Sequence, residues 1–477
     1  MRGEKSGRVR PGEGRPSEGE NKMGTMPVPR LLLTMAVPMM LSMIVQALYN
    51  VVDSLFVSYI PDTAQVLQAG DRAVNALTLA FPIQMLMIAL GVGTGVGVNA
   101  SLSKSLGRGD PEQAGRIAGN AMAVSLCYYG AALLFGLLGA RAYLESQTAD
   151  PVVLEFAFSY LSIVTVCSAG TIGYMCFEKL LQATGKTTAA MAGQLVGSVT
   201  NLILDPILIF GLLGAPAMGV TGAAVATVIG QWAAFGVVVF LHFRYNREIP
   251  FRPSLLRPRR AVIAEIYRVG GPAILMQSLT SVMTYGMNLI LSGVSDTAVI
   301  AYGVYFKLQN FIFMPVYGLN NASIPIISFN YGAKQEKRIR QAIRWGLVVA
   351  SVIMGAGLLL LQCWAGPIVR CFSLSDQAVA LCVTALRIIT VGFFFAGANI
   401  TLQGACQALG SGLSSLLISL LRMILVVLPL AWCFSRLAGA DTLVWLAFPI
   451  SEGVGCCAAA ALTLRLCRRR LAELRIP

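Results

Sequence analysis

Uncharged, mainly apolar stretches alternate with short charged segments along almost the whole chain. A transmembrane helix needs about 20 mainly apolar residues, and each uncharged stretch is long enough to cross a bilayer. Together with apolar stretches that one or two polar residues interrupt, the pattern predicts twelve spans. They begin near Leu31, Ala73, Ile117, Val153, Thr187, Met218, Val262, Ala298, Gln341, Gln377, Ser411 and Leu443.

The composition agrees with this pattern. The 477 residues are 56% hydrophobic and only 12% charged, whereas about 25% of the residues of a soluble protein are charged. The chain has too few charged residues to cover the surface of a soluble protein of this length, and its high apolar content excludes disorder. We therefore predict an all-α polytopic membrane protein with twelve transmembrane helices.

The positions of the basic residues predict the orientation. Most of the 36 Lys and Arg residues flank alternate ends of the spans, and the loops on the other side hold Arg72, Arg141, Arg370 and Arg436. Because cytoplasmic loops are enriched in Lys and Arg, we expect both termini to be cytoplasmic. The net charge of +14 is spread over helix ends without interleaved aromatic residues, so no nucleic-acid partner is expected.

The first residues and the cysteines carry little functional information. Residues 1–29 lack the apolar region of a signal peptide, and we expect them to form a disordered cytoplasmic tail. Met1, Met23 and Met26 all remain open as the first residue of the protein. The 11 cysteines are scattered and form no CxxC pair. We interpret them as small buried residues and expect no metal site at them.

The second half of the chain repeats the first. At an offset of 225, Gly93, Ser103 and Gly107 align with Gly318, Ser328 and Gly332, and Gln182-Ala183 aligns with Gln407-Ala408. Each half has six predicted spans, so the two halves share one orientation and enclose a cavity. We predict an N-lobe at 30–244, a linker at 245–261, a C-lobe at 262–467 and a basic tail at 468–477. This organisation favours an alternating-access transporter over a channel.

The repeats differ in their ionisable residues. Asp53, Asn201 and Asp205 align with Met287, Val426 and Leu430, so only the N-lobe keeps these polar groups. An ionisable group inside a span is costly and indicates function. We predict a cluster of Asp53, Asn201, Asp205 and Thr227 in the outer half of the N-lobe. The alternative is that each Asp only satisfies a backbone break near a proline such as Pro206.

The C-lobe carries a different set of charges at a similar depth, namely Lys307, Arg387 and Glu452. Unpaired charges in a membrane are expensive. A structural ion-pair network is therefore the first interpretation, and contact with a ligand is the second. Arg422 and the Glu178–Lys179 pair are interpreted as structural or gating residues.

The residues that carry a family resemblance lie in five stretches. They are Gln46-Ala-Leu-Tyr-Asn-Val-Val-Asp53, Phe177-Glu-Lys-Leu-Leu-Gln-Ala-Thr-Gly185, Asn201-Leu-Ile-Leu-Asp-Pro206, Gly219-Val-Thr-Gly-Ala-Ala-Val-Ala-Thr227 and Phe329-Asn-Tyr-Gly-Ala333. The chain resembles multidrug and toxic compound extrusion (MATE) transporters from about Pro27 to Arg468, in particular the branch of staphylococcal multidrug exporters.

The resemblance implies antiport driven by an ion gradient, without a cofactor, in the bacterial plasma membrane. Asp53, Asn201 and Asp205 match the family's N-lobe cation and proton site, and Gln46, Tyr49 and Asn50 match positions that line the cavity. Gln277 stands where the sodium-driven type carries a Glu, which moves the coupling site to the N-lobe. H⁺ and Na⁺ both remain open as the coupling ion, and a monomer is expected.

The sequence also suggests the kind of substrate. Met side chains adapt to irregular shapes, and a cavity of Met and aromatic residues suits planar organic cations. The candidates are Met43, Met85, Met276, Met283, Met287 and Phe311, for each of which core packing is the alternative, and Gln277 is a further cavity candidate. A lipid-linked oligosaccharide or peptidoglycan-precursor flippase is the competing function, although acidic N-lobe residues do not suit a pyrophosphate. The sequence shows no catalytic constellation, so we expect no enzyme activity.

Overall fold

The computed structural model describes residues 21–62, 67–372 and 374–474. The described residues form helices joined by turns and loops, without a strand, which confirms the all-α prediction. The first half of the chain contains α1 Lys22–Thr25, α2 Val28–Ser58, α3 Ala69–Gly107, α4 Pro111–Leu134, α5 Ala140–Glu145, α6 Pro151–Val166, α7 Ala169–Ala183, α8 Thr187–Phe210 and α9 Val220–Tyr245. The second half contains α10 Arg260–Ser292, α11 Asp296–Gly332, α12 Glu336–Arg370, α13 Asp376–Thr390, α14 Phe393–Ala408, α15 Gly412–Leu420, α16 Val427–Phe434, α17 Ala440–Leu443 and α18 Ala447–Glu473.

Ten long helices and two bent helix pairs give twelve spans when each bent pair is counted as one span. The bent pairs are α6 with α7, at 47°, and α13 with α14, at 48°. Both pairs begin with a capped turn. Asp150 Oδ1 accepts a hydrogen bond from Val152 N at 2.9 Å, and Ser375 Oγ accepts one from Ala378 N at 3.4 Å. Because these capping residues are 225 apart, the bend belongs to the repeat.

Tertiary contacts repeat at the same offset. Ser103 Oγ donates to Ala183 O at 2.8 Å, and Ser328 Oγ donates to Ala408 O at 3.0 Å. Each bond ties the second span of a lobe to the C-terminal end of its bent pair. The two halves therefore share backbone architecture as well as sequence pattern.

The two lobes meet at the end of the bundle that carries most of the basic residues, which we call the basic end. A Cβ at Gly107 would overlap Phe329 O, and a Cβ at Gly332 would overlap Lys104 O. Gly107 and Gly332 are repeat equivalents, as are Lys104 and Phe329. Only glycine permits this symmetric approach of α3 to α11. The close packing of backbones here holds the lobes together at the basic end.

A short segment before α2 also joins the lobes at the basic end. Asn21 Nδ2 donates to Thr184 O of the N-lobe at 3.4 Å and to Glu248 Oε2 of the linker at 2.5 Å. Arg338 of the C-lobe donates to Met23 O at 2.9 Å and to Met26 O at 2.8 Å. Met23 is fully buried. The expectation of a disordered tail is therefore wrong for 21–29, because hydrogen bonds and burial order this segment; residues 1–20 lie outside the described residues.

Candidate functional site

The predicted N-lobe cluster is formed in the structure by side chains from α2, α8 and α9. Asn201 Nδ2 donates to Asp205 Oδ1 at 3.2 Å and to Thr227 Oγ1 at 3.3 Å. Asp53 and Asp205 lie close enough for their carboxyl groups to interact directly. All four predicted residues therefore meet at one place.

Local sequence explains why these helices bring the residues together. Asn201 and Asp205 are four residues apart and share one face of α8. Gly197 and Gly230 allow α8 and α9 to approach, since a Cβ at Gly230 would lie 2.8 Å from Gly197 O. This contact sets Thr227, almost one turn before Gly230, beside Asn201.

The cluster is buried and incompletely satisfied. Asp205 has no exposed surface and Asn201 is 2% exposed, while Asp53 is partly exposed. Asp53 Oδ1, Asp205 Oδ2 and Asn201 Oδ1 are buried oxygens without a hydrogen-bond partner among the described residues. Buried polar atoms are normally satisfied. Three unsatisfied oxygens in one cluster are therefore suited to hold a proton or a small cation.

Tyr160 on α6 is a neighbour of the cluster that the sequence analysis did not identify. Its side chain lies near Asp53 and Asp205, and its hydroxyl accepts a hydrogen bond from Gln84 Nε2 at 3.2 Å. Its repeat equivalent is Ala385. The same comparison of repeats that singled out Asp53 would also have identified Tyr160.

A small polar pocket continues from the cluster into the N-lobe. Tyr49, Ser198, Asn201 and Thr227 line it together with Tyr174 and Gln194. Tyr174 OH donates to Gln194 Oε1 at 2.8 Å. The pocket borders the unsatisfied oxygens with side chains that form hydrogen bonds, so it provides a polar surrounding for an exchanged ion.

The N-lobe cluster suits a hard cation better than a transition metal. The described residues include no group of three or more His, Cys, Asp and Glu side chains that could hold a metal ion. Carboxylate, amide and hydroxyl oxygens are the donors at the cluster, and hard cations prefer oxygen. The donor set of Asp53, Asn201, Asp205 and Thr227 therefore fits Na⁺ in kind, and each carboxylate also fits H⁺.

The C-lobe network differs from the predicted one. Glu452 Oε2 lies 3.3 Å from Arg422 Nη1 and accepts a hydrogen bond from Asn399 Nδ2 at 2.7 Å. Lys307 and Arg387 are exposed and make no ion pair among the described residues. Arg422 lies in a π-helical turn, Leu421–Val426. Such a turn inserts a residue into the helix and changes the direction in which following side chains point, which helical spacing alone does not predict.

The predicted cavity residues fall into two groups. Asn50, Gln277 and Phe311 are exposed, and Gln46, Tyr49, Met43 and Met276 are partly exposed. Met283 is 8% exposed and Met287 has no exposed surface. Met283, Met287 and Leu291 recur every four residues and share one helix face, which is packed in the core. The expected substrate contact of Met283 and Met287 is therefore wrong in this conformation.

Comparisons with known proteins agree with this architecture. The family model described as MatE matches residues 38–207 and 272–433, more than half of the chain. The multidrug export protein MepA of Staphylococcus saprophyticus is 25% identical over 440 residues, which cover 92% of this chain and 94% of that protein. MepA of Staphylococcus haemolyticus is 26% identical over 417 residues, which cover 87% and 89% of the two chains.

Solved structures share the fold. A structure of MATE in complex with MaL6 has a TM-score of 0.86 at 23% identity, covering 96% of this chain and 99% of that one. An outward-facing multidrug resistance MATE family transporter of the MOP superfamily has a TM-score of 0.85 at 22% identity, with the same coverage. At these identities the likeness shows the fold, with both lobes included.

Proposed function

The chain belongs to the MatE family, and from this we propose that it is a secondary active antiporter that exports organic cations in exchange for H⁺. The observation that carries the proposal is the interacting pair Asp53 and Asp205, with buried oxygens left unsatisfied. The names of the MepA relatives support multidrug export. The plasma membrane, with both termini on the cytoplasmic side, is part of the same proposal.

Two properties of the N-lobe cluster favour H⁺ over Na⁺. Two neighbouring carboxylates in a low-dielectric lobe repel each other when both are ionised, and a shared proton removes that repulsion. Neither carboxylate makes an ion pair with a basic residue among the described residues. A sodium site would instead need several oxygens to close around one ion, and Asn201 Nδ2 already donates to two of them.

The proposed cycle couples this proton to the movement of the lobes. Substrate enters from the cytoplasm while the basic end is open, and the pair of carboxylates is then ionised. After the basic end closes, a proton from outside binds the pair, removes its charge and weakens the attraction for a cationic substrate. Substrate leaves outward, and the proton is released when the basic end opens again.

The test is dye export from proteoliposomes with the two gradients imposed separately. A pH gradient without sodium should drive export of an aromatic cation, and addition of substrate should release protons. Export that follows a sodium gradient alone, without proton movement, contradicts H⁺ coupling and assigns the cluster to Na⁺. Absence of export under either gradient contradicts the antiport function.

A further inference from the structure

The polar pocket of the N-lobe and the Arg422 side chain of the C-lobe belong to equivalent places of the repeat. At the offset of 225, Arg422 aligns with Gly197, which lines the pocket. Glu452, the acid that pairs with Arg422, aligns with Thr227 of the same pocket. The C-lobe therefore has a guanidinium and its partner acid where the N-lobe has a polar pocket beside its two carboxylates.

A glycine on the last span of each lobe permits both arrangements. A Cβ at Gly230 would lie 2.8 Å from Gly197 O, and a Cβ at Gly455 would lie 3.0 Å from Arg422 Cβ. Gly230 and Gly455 are repeat equivalents. The same helix contact is therefore kept in both lobes, and in the C-lobe the missing Cβ of Gly455 leaves room for the arginine side chain.

The charge of Arg422 is enclosed and has one acidic partner. Arg422 is 6% exposed, and its Nη1 lies 3.3 Å from Glu452 Oε2. Its Nε and Nη1 form no hydrogen bond with the described residues, so the attraction of Glu452 compensates the buried charge. Ser451 Oγ donates a hydrogen bond to Arg422 O and holds the π-helical turn at this place. Because a guanidinium does not lose its proton in a protein, this positive charge stays in the lobe.

We propose that Arg422 is a tethered cation. It supplies to the C-lobe the positive charge that the N-lobe exchanges with the solution, so the C-lobe takes up no ion during transport. This role rests on the proposed antiport function and specifies its ion site. Glu452 is neutralised throughout the cycle, whereas Asp53 and Asp205 are neutralised only while an ion is bound, and they alone set the number of protons moved per substrate.

The first experiment removes the guanidinium and replaces it from solution. Arg422→Ala leaves Glu452 without its cation and opens a space of the size of the lost side chain, so the thermal transition in detergent should fall. Glu452 is partly exposed, which gives a solute access. Guanidinium chloride at millimolar, non-denaturing concentration should raise the transition of Arg422→Ala in a saturable way, because a ligand stabilises the folded state that binds it.

Two control variants separate this response from a general effect of the salt. Arg344→Ala, which removes an exposed arginine of α12, should respond to guanidinium no more than the unchanged protein does. Arg422→Ala combined with Glu452→Gln keeps the space but lacks the acid, so its transition should not respond either. An equal response of the single and the double variant, or no response of Arg422→Ala, overturns the role of Arg422 as a tethered cation.

The second experiment counts protons and does not depend on the folding of Arg422→Ala. Arg422→Met combined with Glu452→Gln replaces the buried pair by uncharged residues, an exchange that proteins often tolerate. Protons released per substrate bound, measured with a pH indicator in weakly buffered detergent solution, should equal those of the unchanged protein. A changed number shows that the C-lobe exchanges an ion and overturns the inference. If the unchanged protein releases no protons, the proposed H⁺ coupling fails, and the guanidinium response still decides the role of Arg422.

Discussion

The two lobes share one scaffold but treat their buried carboxylates differently. In the N-lobe, Asp53 and Asp205 interact with each other and leave oxygens without partners. In the C-lobe, Glu452 is paired with Arg422 and accepts a hydrogen bond from Asn399. The repeated contacts of Ser103 and Ser328 show that the lobes share their overall backbone architecture, although α8 is regular where its C-lobe equivalent carries the π-helical turn with Arg422. One lobe thus has an acidic pair without a basic partner among the described residues, and the other has an acid paired with a guanidinium.

This difference suggests a division of labour between the lobes. A carboxylate that a guanidinium already neutralises has little need of a coupling ion. A pair of carboxylates without a basic partner requires a proton or a cation to become neutral. We therefore expect changes of charge in the N-lobe to alter coupling, and changes in the C-lobe to alter stability.

The largest expected effect is that of Asp53→Asn on coupling. The substitution removes one member of the carboxylate pair, and gradient-driven export in proteoliposomes should fall to the level of passive leak. Neutralising a carboxylate within a membrane should cost little stability, so the thermal transition in detergent should stay or rise. Asp71→Asn, an equal change of charge at the exposed start of α3, is the control and should export normally. Full export by Asp53→Asn would remove this residue from the coupling site.

Arg422→Met should mainly lower the stability of the protein and not its coupling. Breaking a buried ion pair by removing one partner costs about 3–5 kcal/mol, because Glu452 is left without its cation. The double variant Arg422→Met with Glu452→Gln should lose less stability than the two single variants together, as measured by unfolding in detergent.

The predicted pairing of Lys307 with Glu452 serves as the control for this double-mutant comparison of Arg422 and Glu452. Lys307→Gln and Glu452→Gln should be additive, because the structure places Arg422 rather than Lys307 at Glu452. Additivity for Arg422 and coupling for Lys307 would reverse the assignment of the network.

A smaller and symmetric effect is expected at the contact between the lobes. Gly107→Ala and Gly332→Ala each place a methyl group against the backbone of the other lobe, and overpacking costs about 1–3 kcal/mol. Both variants should loosen the basic end and increase labelling of a cysteine introduced there. Clearly unequal effects of the two substitutions would show that the two halves of this contact do not contribute equally to holding the lobes together.

The smallest expected effect is that of Tyr160→Phe. Loss of the hydroxyl removes the hydrogen bond with Gln84, which costs about 1 kcal/mol, and export should fall without being lost. Tyr305→Phe, a substitution in the C-lobe near Glu452, should leave the rate of export unchanged. A reduced rate in both variants would mean that the tyrosines act through packing in both lobes.

The sequence by itself determined the helices, the repeat and the unequal distribution of acidic residues. These features are local or periodic: the cost of burying charge limits where spans occur, and an offset of 225 relates the halves. Asn201 and Asp205 could be placed together because a spacing of four residues fixes one helix face. The depth of Asp53 and Thr227 then sufficed to predict their place in the cluster.

Only the tertiary structure decided which side chains meet when their helices are distant in sequence. Arg422, which lies in a π-helical turn, pairs with Glu452, close packing buries Met287, and hydrogen bonds from Arg338 order the segment around Met23. Each of these outcomes depends on the rotation of a helix about its axis and on its neighbours. Hydropathy specifies the depth of a residue in the membrane, but packing between helices determines the direction in which its side chain points.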